Sequence, residues 1–360
     1  MMYSASPVPD YSEFSAIDAL LKRAEQMVML IDRATPKDGA IELARVLEAW
    51  RKGRKLVPNF VYQPVPELGE LRAELTAAAE RHEGRSPLFD LYVERARELE
   101  FDARLAQNIG QPEFAVLAAQ RFPMPPGDDG AQAAALARGY ASLSIAKTEE
   151  PLHATDDASD TSSLVSLMRR RVAELGLSVR VEVRPQSAVA TVGEGFIGIR
   201  PRVWLTAKQA ERVVVHETLG HALPRARARK STFGLLAVGS AKSSETEEGR
   251  ALLVEERARL LDEDRKRELG LRHIAALSVR RGANFRDTSD ELVELGATLE
   301  LALDLAARVH RGGGLAREIV YLPSYLSVKH DLAVEPALER WLERGRLSIR
   351  AARIVAAELK

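Results

Sequence analysis

The stretch VVVHETLGHAL places His216, Glu217 and His221 close together in the chain. Neutral imidazoles bind zinc, and a carboxylate beside such a centre can take and return a proton during hydrolysis. The usual zinc-peptidase spacing is His-Glu-x-x-His, which puts both rings on one helix face. Here the second histidine comes one residue later. Positions four apart on an α-helix differ by about 40°, and positions five apart by about 140°. A regular helix would therefore turn the two rings away from each other. One extra residue in the turn, a π-bulge, would realign them, and Gly220 lies inside the turn that must deform. The plainer reading of the same residues is a pair of hydrogen-bonded core histidines.

A hydrolytic zinc needs a third protein donor and a position left for water. The candidate is Glu248 in SSETEEGRALLVEE. Ser244 and Glu247 read there as a capping box opening a second helix, and Gly249 would let another backbone come close. Two histidines and a glutamate on the next helix make the thermolysin-type donor set. A solvated acid on an acidic helix is the plainer alternative. The helix carrying His216 and His221 is expected to start at the capping box Thr206–Gln209 and to end before Pro224, which cannot continue it.

The surrounding elements read as mostly helical. Apolar periodicity predicts helices over residues 13–33, 37–52, 133–146 and 164–175, with two or three more between 68 and 120. VPNFVYQPVPEL, with its three prolines, reads as an extended connector. SVRVEVRP alternates like a half-buried strand, and AVATVGEGFIGIRP reads as a hairpin. From Thr206 almost to Lys360 the pattern is helical again. The class is α+β, predominantly helical, with one small sheet. Three regions follow: a helical N-terminal region (1–147), an exposed acidic linker or lid TEEPLHATDDASDTSS (148–163), and a region carrying the His-Glu motif (164–360).

Composition narrows the function classes. Among 360 residues, 52 Lys and Arg balance 52 Asp and Glu, which argues against a nucleic-acid partner. There is no cysteine, so thiolate metal sites are excluded and a reducing, cytoplasmic setting fits. The N-terminus does not read as a secretory signal, and no run of about 18 apolar residues suggests a membrane span. RARARK (225–230) reads as a solvated loop. The glycines at 312–314 read as a tight turn, since no Gly-Lys-Ser/Thr follows them. His273, His310 and His330 read as structural.

These motifs resemble the group that includes the tubulin tyrosine carboxypeptidases and bacterial proteins named for a QEGLA motif. HETLGH (216–221) is similar to that group's His-Glu-x-x-x-His helix, and TEEGRA (246–251) to its later T-Q/E-E-G-L-A helix. NFVYQPVPEL with LYVERARELE resembles its helical N-terminal part. IGIRPRVW resembles the strand before the metal helix, and RGGGLAREIVYLPSYLSV a glycine-rich turn followed by a Tyr-Leu motif. The resemblance runs over roughly residues 15–345. Departures are the late Gly220, Arg250 where a leucine is common, PRARARKSTFG in place of an Asn-Gly segment, and Arg317 and Glu318 in place of Lys-Asp.

The resemblance implies a gluzincin-like metallopeptidase core in which His216, His221 and Glu248 bind Zn2+ and Glu217 is the general base. It implies removal of a C-terminal residue, tyrosine or another aromatic, from a peptide or protein. Such an enzyme needs a cation for the substrate carboxylate, for which Arg200 and Arg317 are candidates, and Tyr321 could donate a hydrogen bond to the tetrahedral oxyanion. The competing expectation is a non-catalytic helical regulatory or interaction protein that keeps a structural zinc.

Overall fold

The computed structural model describes residues 11–144 and 150–359. Helix α1 (Ser15–Val28) buries Ile17, Leu21, Ala24 and Val28 along one face. The single helix expected over 13–33 is broken, because Met29 takes a left-handed conformation (φ 41°) before α2 (Leu30–Arg33). After α3 (Gly39–Arg51) the proline-rich connector runs without regular structure from 54 to 68. Three helices follow: α4 (Gly69–His82), α5 (Pro87–Gln107) and α6 (Glu113–Arg121). Helix α7 (Gly127–Ala141) begins straight after Pro126, earlier than expected. Asp128 and Asp129 sit in its first turn, where they favour a helix start rather than a break.

The middle of the chain holds β1 (Leu152–Ala154), α8 (Leu164–Glu174), β2 (Arg180–Val183), β3 (Ala190–Gly193), β4 (Phe196–Ile199) and β5 (Trp204–Thr206). The expected hairpin is β3–β4, closed through Glu194 and Gly195 (φ 78°). Strand β2 pairs with β4 in parallel, giving the order β2-β4-β3. A second, two-stranded sheet was not anticipated. In it β1 pairs antiparallel with β5, with His153 opposite Leu205. The acidic stretch is therefore not a free linker over its described part. Leu152–Ala154 within it is a strand, Thr155 is buried and donates to the Arg200 carbonyl, and Ser163 caps α8.

Helix α9 (Ala207–Val215) passes through a π-helical turn at His216–Ala222 into α10 (Leu223–Ala228) as one rod. The remainder is helical: α11 (Leu235–Val238), α12 (Ser243–Arg257), α13 (Glu263–Arg280), α14 (Phe285–Glu294), α15 (Leu299–Gly314), α16 (Tyr321–Val334), α17 (Glu339–Leu342) and α18 (Ile349–Glu358). The helical path of α15 breaks at Arg311, and the turn within its last residues needs its glycines, since Gly312, Gly313 and Gly314 have φ of 71°, 112° and 115°.

The main apolar core takes side chains from both sides of the acidic stretch, from Phe14 to Val355. A second cluster packs α8 and the three-stranded sheet against the rod through Met168, Ile197, Ile199, Val214 and Ala222. Among the described residues no helix is long and apolar enough to cross a membrane.

Candidate metal centre

The rod begins as expected. The Thr206 hydroxyl accepts from the Gln209 N–H, and the Gln209 side chain accepts from the Thr206 N–H. Nine residues on, the backbone changes register, so that the Leu223 N–H bonds to the carbonyl of Thr218, five positions back. The five-step gap between the histidines is thereby one π turn, and their Nε2 atoms lie 3.3 Å apart. The rod does not end before Pro224, which sits in the first turn of α10. Two carbonyls near the proline, Leu219 (2.9 Å) and Gly220, accept instead from the Arg250 guanidinium. Gly220 also permits close packing, because a Cβ there would lie 2.7 Å from the Cβ of Ala251 on α12.

Helix α12 brings Glu248 up to the two histidines. It starts behind Lys242 (φ 58°) with no side-chain cap. The expected Ser244–Glu247 capping box does not form, because Glu247 is drawn inward to Arg346 (2.9 Å) and Arg225 (3.2 Å). Oε2 of Glu248 lies 3.6 Å from His216 Nε2 and 3.9 Å from His221 Nε2. Donors around a tetrahedral zinc are separated by about 3.4 Å, so the three edges of this triangle fit such an ion, slightly open on the carboxylate side. Gly249 lets α16 come close, since a Cβ there would meet the Ser324 carbonyl oxygen at 2.4 Å.

Carboxylates of α12 also stand behind both rings. His216 Nδ1 lies 2.6 Å from Glu255 Oε1. Glu255 is fully buried and receives two hydrogen bonds from Arg265, at 3.0 and 3.1 Å. His221 Nδ1 lies 3.5 Å from Glu247 Oε2, a charge contact outside good hydrogen-bond geometry. Carboxylates behind imidazoles fix the ring orientation and keep the opposite nitrogen available to a metal. Neither Glu247 nor Glu255 was read from the sequence in this role. The available signal was spacing: Glu248 and Glu255 are seven apart and so share a helix face.

The electrostatics suit a cation. Burial would depress the His216 pKa, but hydrogen bonds to Glu248 and Glu255 outweigh it and raise it to about 10. Burial opposes ionisation of Glu248 too, yet the His216 hydrogen bond and the Arg317 charge hold it well below the usual carboxylate range. Among the described residues, His216, His221 and Glu248 are the group whose donor atoms, all within 4.8 Å, could hold a metal.

The other candidates fall in different places. Arg317 bonds to the second oxygen of Glu248 (3.3 Å) and to the Tyr321 hydroxyl (3.1 Å), and Arg272 lies 4.6 Å over the Tyr321 ring. Glu217 is half-buried beside His216, and among the described residues its carboxylate takes no hydrogen bond or ion pair. Arg200 is not joined to this group: it donates to the Ser187 carbonyl at 2.6 Å. RARARK is not a loop. It lies largely in α10, and Arg225 points inward to Val192 O (2.9 Å) and Glu247. His310 bonds to Thr288 (2.9 Å), and burial lowers both His273 and His310 to a pKa of about 4. A cavity of about 650 Å³ opens nearby, with Arg225, Arg317 and Arg346 in its wall together with Glu25, Arg95 and Arg121.

Fold and site together define a predominantly helical α+β protein in which a π-turned helix and α12 bring together three side chains that could hold a metal ion. The profile of the microtubule-associated tyrosine carboxypeptidase (MATCAP) family matches residues 50–359, and the chain belongs to this carboxypeptidase family. The resemblance carried by HETLGH and TEEGRA is thus borne out. No curated protein matches the chain. Among solved structures, a protein from Colwellia psychrerythraea described as a lipoprotein is similar at 13% identity, over 94% of this chain and 76% of that one, with a TM-score of 0.47.

Proposed function

We propose that this chain is a zinc-dependent carboxypeptidase that removes a C-terminal residue, tyrosine or another aromatic, from a peptide or protein. The observation that carries this reading is the convergence of His216 Nε2, His221 Nε2 and Glu248 Oε2 across a π turn, at separations that suit a tetrahedral ion. These residues would hold zinc within a gluzincin-like core, in the region 164–360. Zinc supplies Lewis acidity, polarising a carbonyl and making water acidic enough to lose a proton near neutral pH.

The chain's own groups do the rest. Glu217 accepts the proton from the attacking water and delivers it to the leaving amine; that its carboxylate takes no hydrogen bond or ion pair among the described residues supports this role. Tyr321 accepts a hydrogen bond from Arg317 and keeps its own proton for the oxyanion. Arg317, in the cavity wall, steadies Glu248 and offers its charge to the substrate's terminal carboxylate. Arg200 has less support for that task, being engaged by Ser187.

The test incubates zinc-loaded protein with peptides of varied C-termini and reads the products by mass spectrometry. Trimming of one terminal residue by the parent, lost in Glu217→Gln while zinc content is kept, is the expected result. Zinc bound equally by both proteins with no trimming by either would favour the non-catalytic zinc protein. Absence of zinc from the parent even after zinc is added would end the metal reading.

A further inference from the structure

We infer that Arg250 and Pro224 act as a pair in this chain: Arg250 supplies the donor that Pro224 removes, and so holds the five-residue step between His216 and His221. Arg250 is thus a positioning residue for the metal donors, a role that rests on the zinc reading above.

A proline inside a helix removes one N–H and crowds the carbonyl four residues back. For Pro224 that carbonyl belongs to Gly220, inside the π turn. In π register the N–H five positions on serves each carbonyl, as Leu223 serves Thr218. The next carbonyl, Leu219, would need the N–H of residue 224, which proline lacks. Buried carbonyls left without donors are costly. Both are met from outside the rod, since one nitrogen of Arg250 reaches the oxygens of Leu219 and Gly220.

Arg250 is itself buried, and among the described residues it forms no ion pair. Its hydrogen bonds go to these two carbonyls. Glu247, Glu343 and Glu339 offset part of the cost of burying this charge, but none of them pairs with it directly, and its donors are spent on the rod's carbonyls. Arg250 also ties the rod to the helix that carries Glu248. The same contact therefore fixes His221 against His216 and both against the third donor.

The test compares the parent with Arg250→Leu, Pro224→Ala and the double variant. Zinc affinity is read by competition with a chromogenic chelator, and thermal midpoints are read in excess chelator. Arg250→Leu is expected to bind zinc roughly 10–100-fold more weakly, as loss of an outer support usually does. In the Pro224→Ala background, where residue 224 again has an N–H, that loss should shrink by roughly tenfold. Folding of the double variant where the single one does not fold would also sustain the pairing. Unchanged affinity in folded Arg250→Leu, an equal loss in both backgrounds, or failure of both to fold would overturn it. If the parent binds no zinc, the zinc reading falls separately. The midpoints in chelator then decide the pairing: a drop for Arg250→Leu that vanishes with Pro224→Ala sustains it, and an equal drop in both backgrounds overturns it.

Discussion

At the scale of single residues, helix α12 does more than donate Glu248. Glu255 takes the back of the His216 ring, and Arg265 pins Glu255 through both oxygens. Removing the Glu255 charge leaves the ring less firmly oriented and Arg265 buried with a weaker partner. Glu255→Gln is expected to lower zinc affinity roughly 10–100-fold in a chelator competition. Glu256→Gln is the control, since Glu256 pairs with Lys329 at the surface, and it should leave affinity unchanged. Equal behaviour of the two variants would deny Glu255 this role.

At the scale of elements, the site depends on how closely the rod, α12 and α16 approach. Gly220 and Gly249 stand at the two contacts. A methyl group at 220 would press on Ala251 at 2.7 Å, and one side or the other must shift. Gly220→Ala is expected to cost about 1–3 kcal/mol in denaturant unfolding, with weaker zinc binding. A neutral result would mean that the helices have slack at this point. The same elements show what the sequence disclosed. The odd histidine spacing called for a π turn, Thr206 and Gln209 marked the rod's start, and Gly249 marked a close approach. The continuation past Pro224 was hidden because its substitute donor, Arg250, lies on another helix. Strands β1 and β5 were hidden because three-residue strands that pair only with distant chain have no periodicity to read. The Ser244–Glu247 box was misread because local spacing could not reveal that Arg225 and Arg346 compete for Glu247.

For the molecule as a whole, burial of neutral histidines sets an acid limit. His273 and His310 have folded pKa values near 4, both lowered by burial, against about 6.5 in an unfolded chain. Between those values the unfolded state binds more protons, so stability falls as pH drops from about 6.5 to about 4. Each group accounts for at most about 3 kcal/mol of that loss. His273→Leu should flatten the dependence of the unfolding free energy over this range, and an unchanged slope would remove His273 from the account.

The main core gives the length of chain a practical meaning. Phe14 stacks on Tyr92 with ring centres 5.0 Å apart, Phe233 meets both rings edge-on, and the Tyr92 hydroxyl accepts from the Leu235 N–H. Phe14 lies ahead of the span that the family profile matches, yet it is packed against the segment joining α10 to α12. A fragment cut to 164–360 would bare an oily flank directly behind the donor-bearing helices. Shortening this protein for engineering or crystallisation should therefore begin upstream of Phe14.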